Sequence, residues 1–370
     1  MSRPKKILFA AVDVGYRIEL YSKFIRETLS DKLEAESLSI YVLPSKHYKT
    51  SYTYEFNFYQ KNALYRWHRS FVNFFFCLFR FDIFHFISGE TLLTRRFQGF
   101  ELFIYKLLGK RVVMHFVGSD IRSVPYSQWK EKNIRAYLNG NRDFPITTPW
   151  QKKLIQRANR YADCILVSTP DLKEIIPQAI YYPVVLDLEK YQAELNAIPE
   201  PTKTDKEIVI LHSPSNKKIH IKGTEYINEV LYKLAANPRF KIKLILPAEE
   251  RKDRPTNYSA TRYELFSHFK EADIVIDQMT IGWYGLLSVE AIAAGKQVIC
   301  YIEDSLKTYL YEDCPILNAD VNTLEQKLIA CIEDMLKHRN NRLKQQQEWV
   351  MKHHTIGSNH EPLLQAWGIK

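Results

Sequence analysis

Lys217 and Lys222 stand five residues apart in the run 212–223, HSPSNKKIHIKG, which follows the apolar segment 208–211 and precedes a helical pattern. Two ammonium groups in a strand-to-helix loop can hold a diphosphate from either side. Compact point charges suit a leaving phosphate whose charge grows as a bond to it breaks. An ordinary solvated basic loop has the same composition. A second run, 282–300, GWYGLLSVEAIAAGKQVIC, reads as a glycine turn from Gly282 to Gly285, a helix over about 286–294, a glycine stop at Gly295 and a strand over 297–302. Such a turn leaves the unpaired N–H groups of Gly285, Leu286 and Leu287 aimed at one spot, and that spot can bind phosphate. Glu290 is the one carboxylate of this apolar helix.

Three further stretches carry chemistry-bearing residues. In 115–122, HFVGSDIR, the strand 111–116 runs into Gly118, Ser119, Asp120 and Arg122. Alternate strand residues share a face, so His115 either reaches the strand end beside position 117 or sits as a satisfied core histidine. Asp120 and Arg122 either line a site or pair with each other and hold the loop. In 13–17, Gly15 and Arg17 can serve a site, while Asp13 reads as an ordinary strand–helix turn residue. The stretch from Phe56 to Arg80 is rich in aromatics, with Lys61, Arg66, Arg69 and Arg80 and no acid. It fits a helix buried on a sheet, contact with an anionic membrane, or stacking of a single-stranded nucleic acid. His353, His354 and His360 have the spacing of no standard metal site and read as surface residues.

The elements that must position these residues follow an α/β order. Strands are expected over 6–12, 38–43, 82–87, 111–116 and 163–167, with helices over 18–32, 97–108 and 150–161. Residues 192–206 have linker composition, which divides the chain into a domain over 1–190 and another over 205–349. The second domain is read as strands over 208–212, 241–246 and 272–277 and helices near 224–235 and 262–271, then one or two polar helices over 323–349. Two α/β domains facing each other create a cleft at the carboxyl ends of their sheets.

With 370 residues, 46% hydrophobic and 25% charged, the chain is an ordinary globular one with length for two cores. A net charge of +10 favours anionic partners such as nucleotide phosphates, lipid headgroups or nucleic acid. Five scattered cysteines without a CxxC argue against disulfides and cysteine-held metal, and fit a reducing cytoplasm. The amino terminus reads as a first strand rather than a signal peptide, and no run approaches the length of a spanning helix.

The run 282–302 resembles the donor-binding signature of retaining glycosyltransferases of the GT-B fold, the group often called family 4. Tyr284-Gly285-Leu286-Leu287 matches its aromatic turn, Glu290 its second glutamate, and Ala291 through Gly295 its Ala-x-Ala-x-Gly end. Gly282 stands where the family carries a first glutamate that helps hold the donor sugar. Lys217 and Lys222-Gly223 match the family's Arg and Lys-Gly, with lysine replacing the arginine. A subset of the family has a histidine, a glycine and Ser-Asp-x-Arg where this chain has His115, Gly118, Ser119, Asp120 and Arg122, with Val117 directly before the glycine.

The resemblance implies two Rossmann-like, doubly wound domains facing across a cleft, with a carboxy-terminal segment over about 350–370 crossing back to the first. It implies transfer of a sugar from a nucleotide-sugar donor to a hydroxyl of a glycan or lipid-linked acceptor with retention, in bacterial cell-surface polysaccharide synthesis. Glu290 would hold the ribose; Lys217, Lys222 and the amides of 285–287 would hold the diphosphate, and His115 the donor sugar. Gly223 and Gly282 fall on the donor side; Gly15, Arg17, Gly118, Ser119, Asp120 and Arg122 fall on the acceptor side. A phosphate oxygen would take the acceptor's proton, and with no Asp-x-Asp in the chain neither a metal nor another cofactor is expected. The expected location is cytoplasmic, with peripheral contact on the inner face of the plasma membrane through 56–80. The rival readings are a nucleotide-sugar-binding protein without transfer, a sugar-nucleotide epimerase of the same fold, and a nucleic-acid-binding protein.

Overall fold

The computed structural model describes residues 3–40, 52–56, 58, 61–93, 95–122, 149–201, 207–214, 222–247, 260–337 and 343–369. They fall into two compact units, one holding the described residues up to Val185 together with the chain from Ile356 onward, the other Leu186–Thr355.

The first unit contains β1 (Lys5–Ala11), α1 (Arg17–Thr28), β2 (Leu33–Ser39), β3 (Tyr54–Glu55), α2 (Ala63–Arg80), β4 (Ile83–Ile87), α3 (Gln98–Leu107), β5 (Arg111–Phe116), α4 (Pro149–Tyr161), β6 (Cys164–Val167) and β7 (Ile180–Tyr181). The strands form one parallel sheet in the order β3-β2-β1-β4-β5-β6-β7. Burial on both faces explains the nearly unbroken apolar strands: Leu8, Phe84 and Met114 point towards α2, α3 and α4, while Ile7, Phe9 and Val113 point towards α1 and the C-terminal helix His360–Trp367. Trp367 of that helix is fully buried, and its indole N–H donates to His85 Nδ1 at 3.0 Å.

The second strand begins five residues earlier than the expected 38–43, because Leu33 pairs with Lys5 and Leu38 is the next large buried apolar residue. Its intervening Glu34 and Glu36 disguise it. A strand with only the short β3 outside it tolerates such charges, and Glu36 is met by Arg80 at 2.6 Å.

The second unit contains α5 (Leu188–Asn196), β8 (Ile208–Leu211), α6 (Thr224–Ala235), β9 (Ile242–Ile245), α7 (Arg262–Glu271), β10 (Ile274–Ile276), α8 (Leu286–Ala293), β11 (Gln297–Cys300), β12 (Leu317–Asn318), α9 (Leu324–Lys337) and α10 (Leu343–His353). Its parallel sheet runs β12-β11-β10-β8-β9, with α6 and α9 packed on one face. The stretch 192–206, read as a linker, begins inside α5. Asp187 caps that helix by accepting from Lys190 N at 3.1 Å, and Tyr191 and Leu195 are buried. Only two buried side chains in nine residues hide the helix from a composition reading.

Gly295 ends α8 at a φ of +77°, and a Cβ there would lie 2.8 Å from Leu343 Cδ1, so α10 packs where only glycine fits. His354, expected at the surface, is fully buried; its Nε2 lies 3.2 Å from the Tyr284 hydroxyl and its ring packs on Trp349.

Candidate functional site

In the second sheet the chain leaves β8 to one side for β9 and returns on the other side for β10. Ligands of open parallel sheets bind at such a switch point, beyond the carboxyl ends of the two strands. Asp277 follows β10 directly and His212 follows β8. His212 is buried and joins the two strand ends, with Nδ1 2.9 Å from the Ile276 carbonyl and Nε2 3.0 Å from the Thr224 hydroxyl.

Asp277 gathers the site. Its Oδ1 accepts from Lys222 Nζ at 2.5 Å, and its Oδ2 accepts from Ser288 Oγ at 2.7 Å and from Gly285 N at 3.3 Å. Burial alone would raise this carboxyl; the Lys222 ammonium and the Ser288 and Gly285 bonds outweigh it and hold Asp277 below the usual carboxylate range. Gly285 is the N-cap of α8 and supplies no side-chain cap, so the first-turn amides of Leu286 and Leu287 have no acceptor within the helix. An ammonium group, a hydroxyl and a helix amino end therefore converge on one anionic group.

The loop geometry behind this is set by Gln278. Its Nε2 donates to the carbonyls of Trp283 and Tyr301, both at 2.9 Å, and its Oε1 accepts from Thr280 N and Ile281 N. One buried amide thus ties down the turn 279–284. Gly282 bends within it at a φ of +81°, where a Cβ would sit 2.9 Å from Glu303 Cβ. Gly223, the N-cap of α6 at a φ of +70°, brings the Lys222 backbone against the same turn, with Met279 N donating to Lys222 O at 3.0 Å.

Glu290 lies on α8 two residues past Ser288, about 200° around the helix at 3.6 residues per turn, and does not join the Asp277 cluster. It is 3% exposed, and its carboxylate pairs with Arg262. Burial raises Glu290 above the usual carboxylate range in spite of Arg262. Arg262 also donates to Glu194 at 3.1 Å and lies 3.9 Å from the centre of the Phe266 ring. It opens α7, whose start is fixed by the Thr261–Glu264 capping box. Lys217 lies outside the described residues.

The first unit holds the remaining candidates. His115 is 0% exposed, so of the two readings open to it the structure places it as a core histidine. Its Nε2 lies 3.0 Å from Ser168 Oγ, which accepts from Arg17 Nη2 at 3.2 Å. Burial, Arg17 and His85 keep the His115 imidazole neutral, well below its ordinary range. Arg17 is likewise buried and donates to Val14 O at 2.6 Å, next to Gly15, whose φ is +69°. Asp120 and Arg122 hold their loop, but not by pairing with each other. Asp120 accepts from the amides of Val117, Gly118 and Ile121 at 2.9, 2.8 and 3.1 Å. Arg122 donates to Asp171 and Thr169, each at 2.6 Å, and the Ser119 carbonyl accepts from Gln151.

Asp13, set aside as a turn residue, accepts from Ile18 N and the Tyr52 hydroxyl, both at 3.2 Å. Burial pushes it up to about 6 from an ordinary 3.8, against those bonds and Arg17. A raised acid is protonated in the fold while ionised in the unfolded chain, so its stability contribution is lost as pH rises from about 4 to 6. Because Asp13 keeps partial contact with water, the loss is about 1–2 kcal/mol rather than the roughly 3 kcal/mol of a dry group. Asp13→Asn keeps the Ile18 bond through Oδ1 and reverses the other, its Nδ2 donating to the Tyr52 hydroxyl, and denaturant melts should show it gaining that amount at pH 8 and flattening over pH 4–6. An unchanged pH slope would show that Asp13 titrates normally.

Sequence reasoning missed Asp277, Gln278, Ser288 and Arg262. For the first two a signal existed: an acid and an amide between an apolar strand and a glycine turn.

No family model matches the chain, and no curated protein matches it. Solved structures do. The chain resembles a sucrose-phosphate synthase from Thermosynechococcus elongatus at a TM-score of 0.61 and 14% identity, over 99% of this chain and 98% of that one. It resembles Anabaena HepE, solved with UDP and glucose, at 0.57 and 12%, over 98% and 99%. The catalytic domain of starch synthase IV from Arabidopsis thaliana, bound to ADP and acarbose, matches at 0.58 and 10%, over 99% of both. The chain has the fold of these GT-B glycosyltransferases, two parallel α/β sheets of seven and five strands.

Proposed function

We propose that this chain transfers a sugar from a nucleotide-sugar to a hydroxyl of a glycan or lipid-linked acceptor, and that the donor's diphosphate is gripped between Lys222 and the amino end of α8. The observation that carries this reading is the convergence of Lys222, Ser288 and Gly285 on the Asp277 carboxylate at the sheet's switch point. Carboxylate and phosphate oxygens ask for the same donors. The Lys222 ammonium has three N–H donors and directs one to Asp277, which aims the group and leaves two for the ligand. The Leu286 and Leu287 amides complete the grip, with Lys217 as a second ammonium.

As the glycosidic bond breaks, negative charge grows on the diphosphate, and donors already in place stabilise it without reorganising. A phosphate oxygen then takes the acceptor's proton, so the reaction calls for no protein nucleophile. The positive charge comes from the ammonium and the amides, so the reading requires no resident metal. Glu290 takes the ribose hydroxyls once Arg262 yields it. His115 acts at one remove, holding Ser168 and Arg17. The nucleotides in the HepE and starch synthase structures support a nucleotide-linked donor.

A second reading, binding of the nucleotide-sugar without transfer, is favoured by the hold of Arg262 on Glu290. Thermal shift with UDP, GDP, ADP and their sugars, in buffer containing EDTA, tests the shared premise. A ligand at a hundred times its Kd adds about 2.7 kcal/mol, so one diphosphate should raise Tm by about 5 °C or more. A flat panel, or an equal shift with inorganic phosphate, would refute the site. Release of the nucleoside diphosphate only when acceptor is present separates transfer from binding and from epimerisation.

A further inference from the structure

Helix α2 is apolar on two opposite sides. Ser70, Asn73, Phe74, Cys77 and Leu78 form the buried stripe that packs on the sheet. Val72, Phe75, Phe76 and Phe79 repeat the same helical spacing on the far side, and all four are exposed, Phe79 at 79%. Helix α3 repeats the arrangement: Gln98, Glu101, Leu102 and Tyr105 are buried, while Phe100, Phe103 and Leu107 face outward, Leu107 at 67%. The two helices are neighbours, with Phe71 and Phe97 rings 5.4 Å apart and Phe74 and Phe100 6.4 Å apart. Together they present one apolar face, and an apolar face of that kind is normally covered.

We infer that this face seats the protein on an anionic lipid bilayer, with α2 and α3 lying in the plane of the interface. Charge selects that occupant. Arg66, Arg69 and Lys106 stand on the two helices and Arg96 just before α3, while Arg80 and Arg95 are paired with Glu36 and Glu90; the one acid in α2 and α3 is Glu101, turned inward onto the Leu92 and Leu93 amides. Arg69 lies over the Phe56 ring at 4.4 Å and Arg96 over Trp67 at 5.9 Å, which keeps these cations beside aromatic bodies, as at a headgroup boundary. A second copy of the chain would set this cationic face against itself. A single-stranded nucleic acid could stack on Trp67, Phe75, Phe79 and Phe103, but Leu64, Val72, Leu107 and Leu108 are exposed among those rings, and that hydrocarbon is taken up by a bilayer and not by stacked bases. No described helix is long and apolar enough to cross a membrane, so the contact is with its surface. The inference stands apart from the transfer reading, since none of these residues belongs to the Asp277 cluster.

Co-sedimentation of the full chain with phosphatidylcholine vesicles, with and without phosphatidylglycerol, tests it. The protein should pellet with the phosphatidylglycerol vesicles at least about tenfold more tightly than with phosphatidylcholine alone, since each surface cation adds roughly fivefold. Phe75→Asp with Phe79→Asp should lower that partition by about tenfold or more while Tm and the nucleotide-induced shift stay unchanged. Arg66→Gln with Arg96→Gln should lower the preference for phosphatidylglycerol by about tenfold or more. Absence of binding, equal pelleting of the Phe75/Phe79 variant, or a dimer that the same substitutions dissolve would overturn the inference. So would displacement of the protein from vesicles by an oligonucleotide that the variant no longer binds.

Discussion

Lys222→Ala should lower turnover about a thousandfold, the largest effect expected of any single substitution here. Removing one preorganised charged donor from a developing oxyanion costs about 3–4 kcal/mol of transition-state stabilisation, which is two to three powers of ten in rate. The same change leaves Asp277 buried beside only Ser288 and Gly285. Breaking a buried ion pair costs about 3–5 kcal/mol, and two retained hydrogen bonds bring this nearer 2–3 kcal/mol. A fall in rate alone would thus be ambiguous. Lys222→Met combined with Asp277→Asn resolves it, because that pair replaces the ion pair with neutral groups. The double variant should recover most of the melting temperature and none of the turnover. Recovery of both would reduce Lys222 to a structural residue.

Acid titration gives the same test a second readout. Asp277 is depressed in the fold, so its contribution is present above the unfolded value near 3.8 and is lost as pH falls through the folded one. That acid-side loss should be missing from the double variant.

Glu290→Ala should weaken donor binding about a hundredfold with modest harm to the fold. Arg262 keeps Glu194 and its seat on Phe266 when Glu290 is removed, so no buried cation is orphaned. Two hydrogen bonds from ribose hydroxyls to a carboxylate are together worth about 3 kcal/mol, or two powers of ten in Kd. Titration calorimetry with the best nucleoside diphosphate measures this directly. If Glu290 served only Arg262, the variant would melt earlier and bind the nucleotide as the parent does. The Arg262 contact also predicts that Arg262→Ala releases Glu290 at the cost of an unpaired buried acid, so its loss of stability should exceed that of Glu290→Ala.

The strand–turn–helix–strand run around α8 was legible because its signals are local: an apolar strand, glycines at positive φ and an apolar helix ended by Gly295. The doubly wound order was legible because strands buried on both faces read as continuous apolar runs. What escaped depended on partners far along the chain. Arg262 meets Glu290 across 28 residues, and Lys222 meets Asp277 across 55. No spacing rule spans those separations. His115 looked equally at home in a site or in a core because a histidine in an apolar strand gives no sign of which way its neighbours close. Here Tyr21, His85 and Tyr182 close around it. The second apolar stripe of α2 was present in the sequence, but only the packing of the first stripe shows that the other is left outside.

The most direct test is a crystal structure of the protein with the nucleoside diphosphate that most raises its Tm. A phosphate oxygen should lie within about 3 Å of Lys222 Nζ, with further phosphate oxygens on the Leu286 and Leu287 amides. Phosphates bound away from Lys222 and the amino end of α8, with the Lys222–Asp277 pair undisturbed, would contradict the proposed grip.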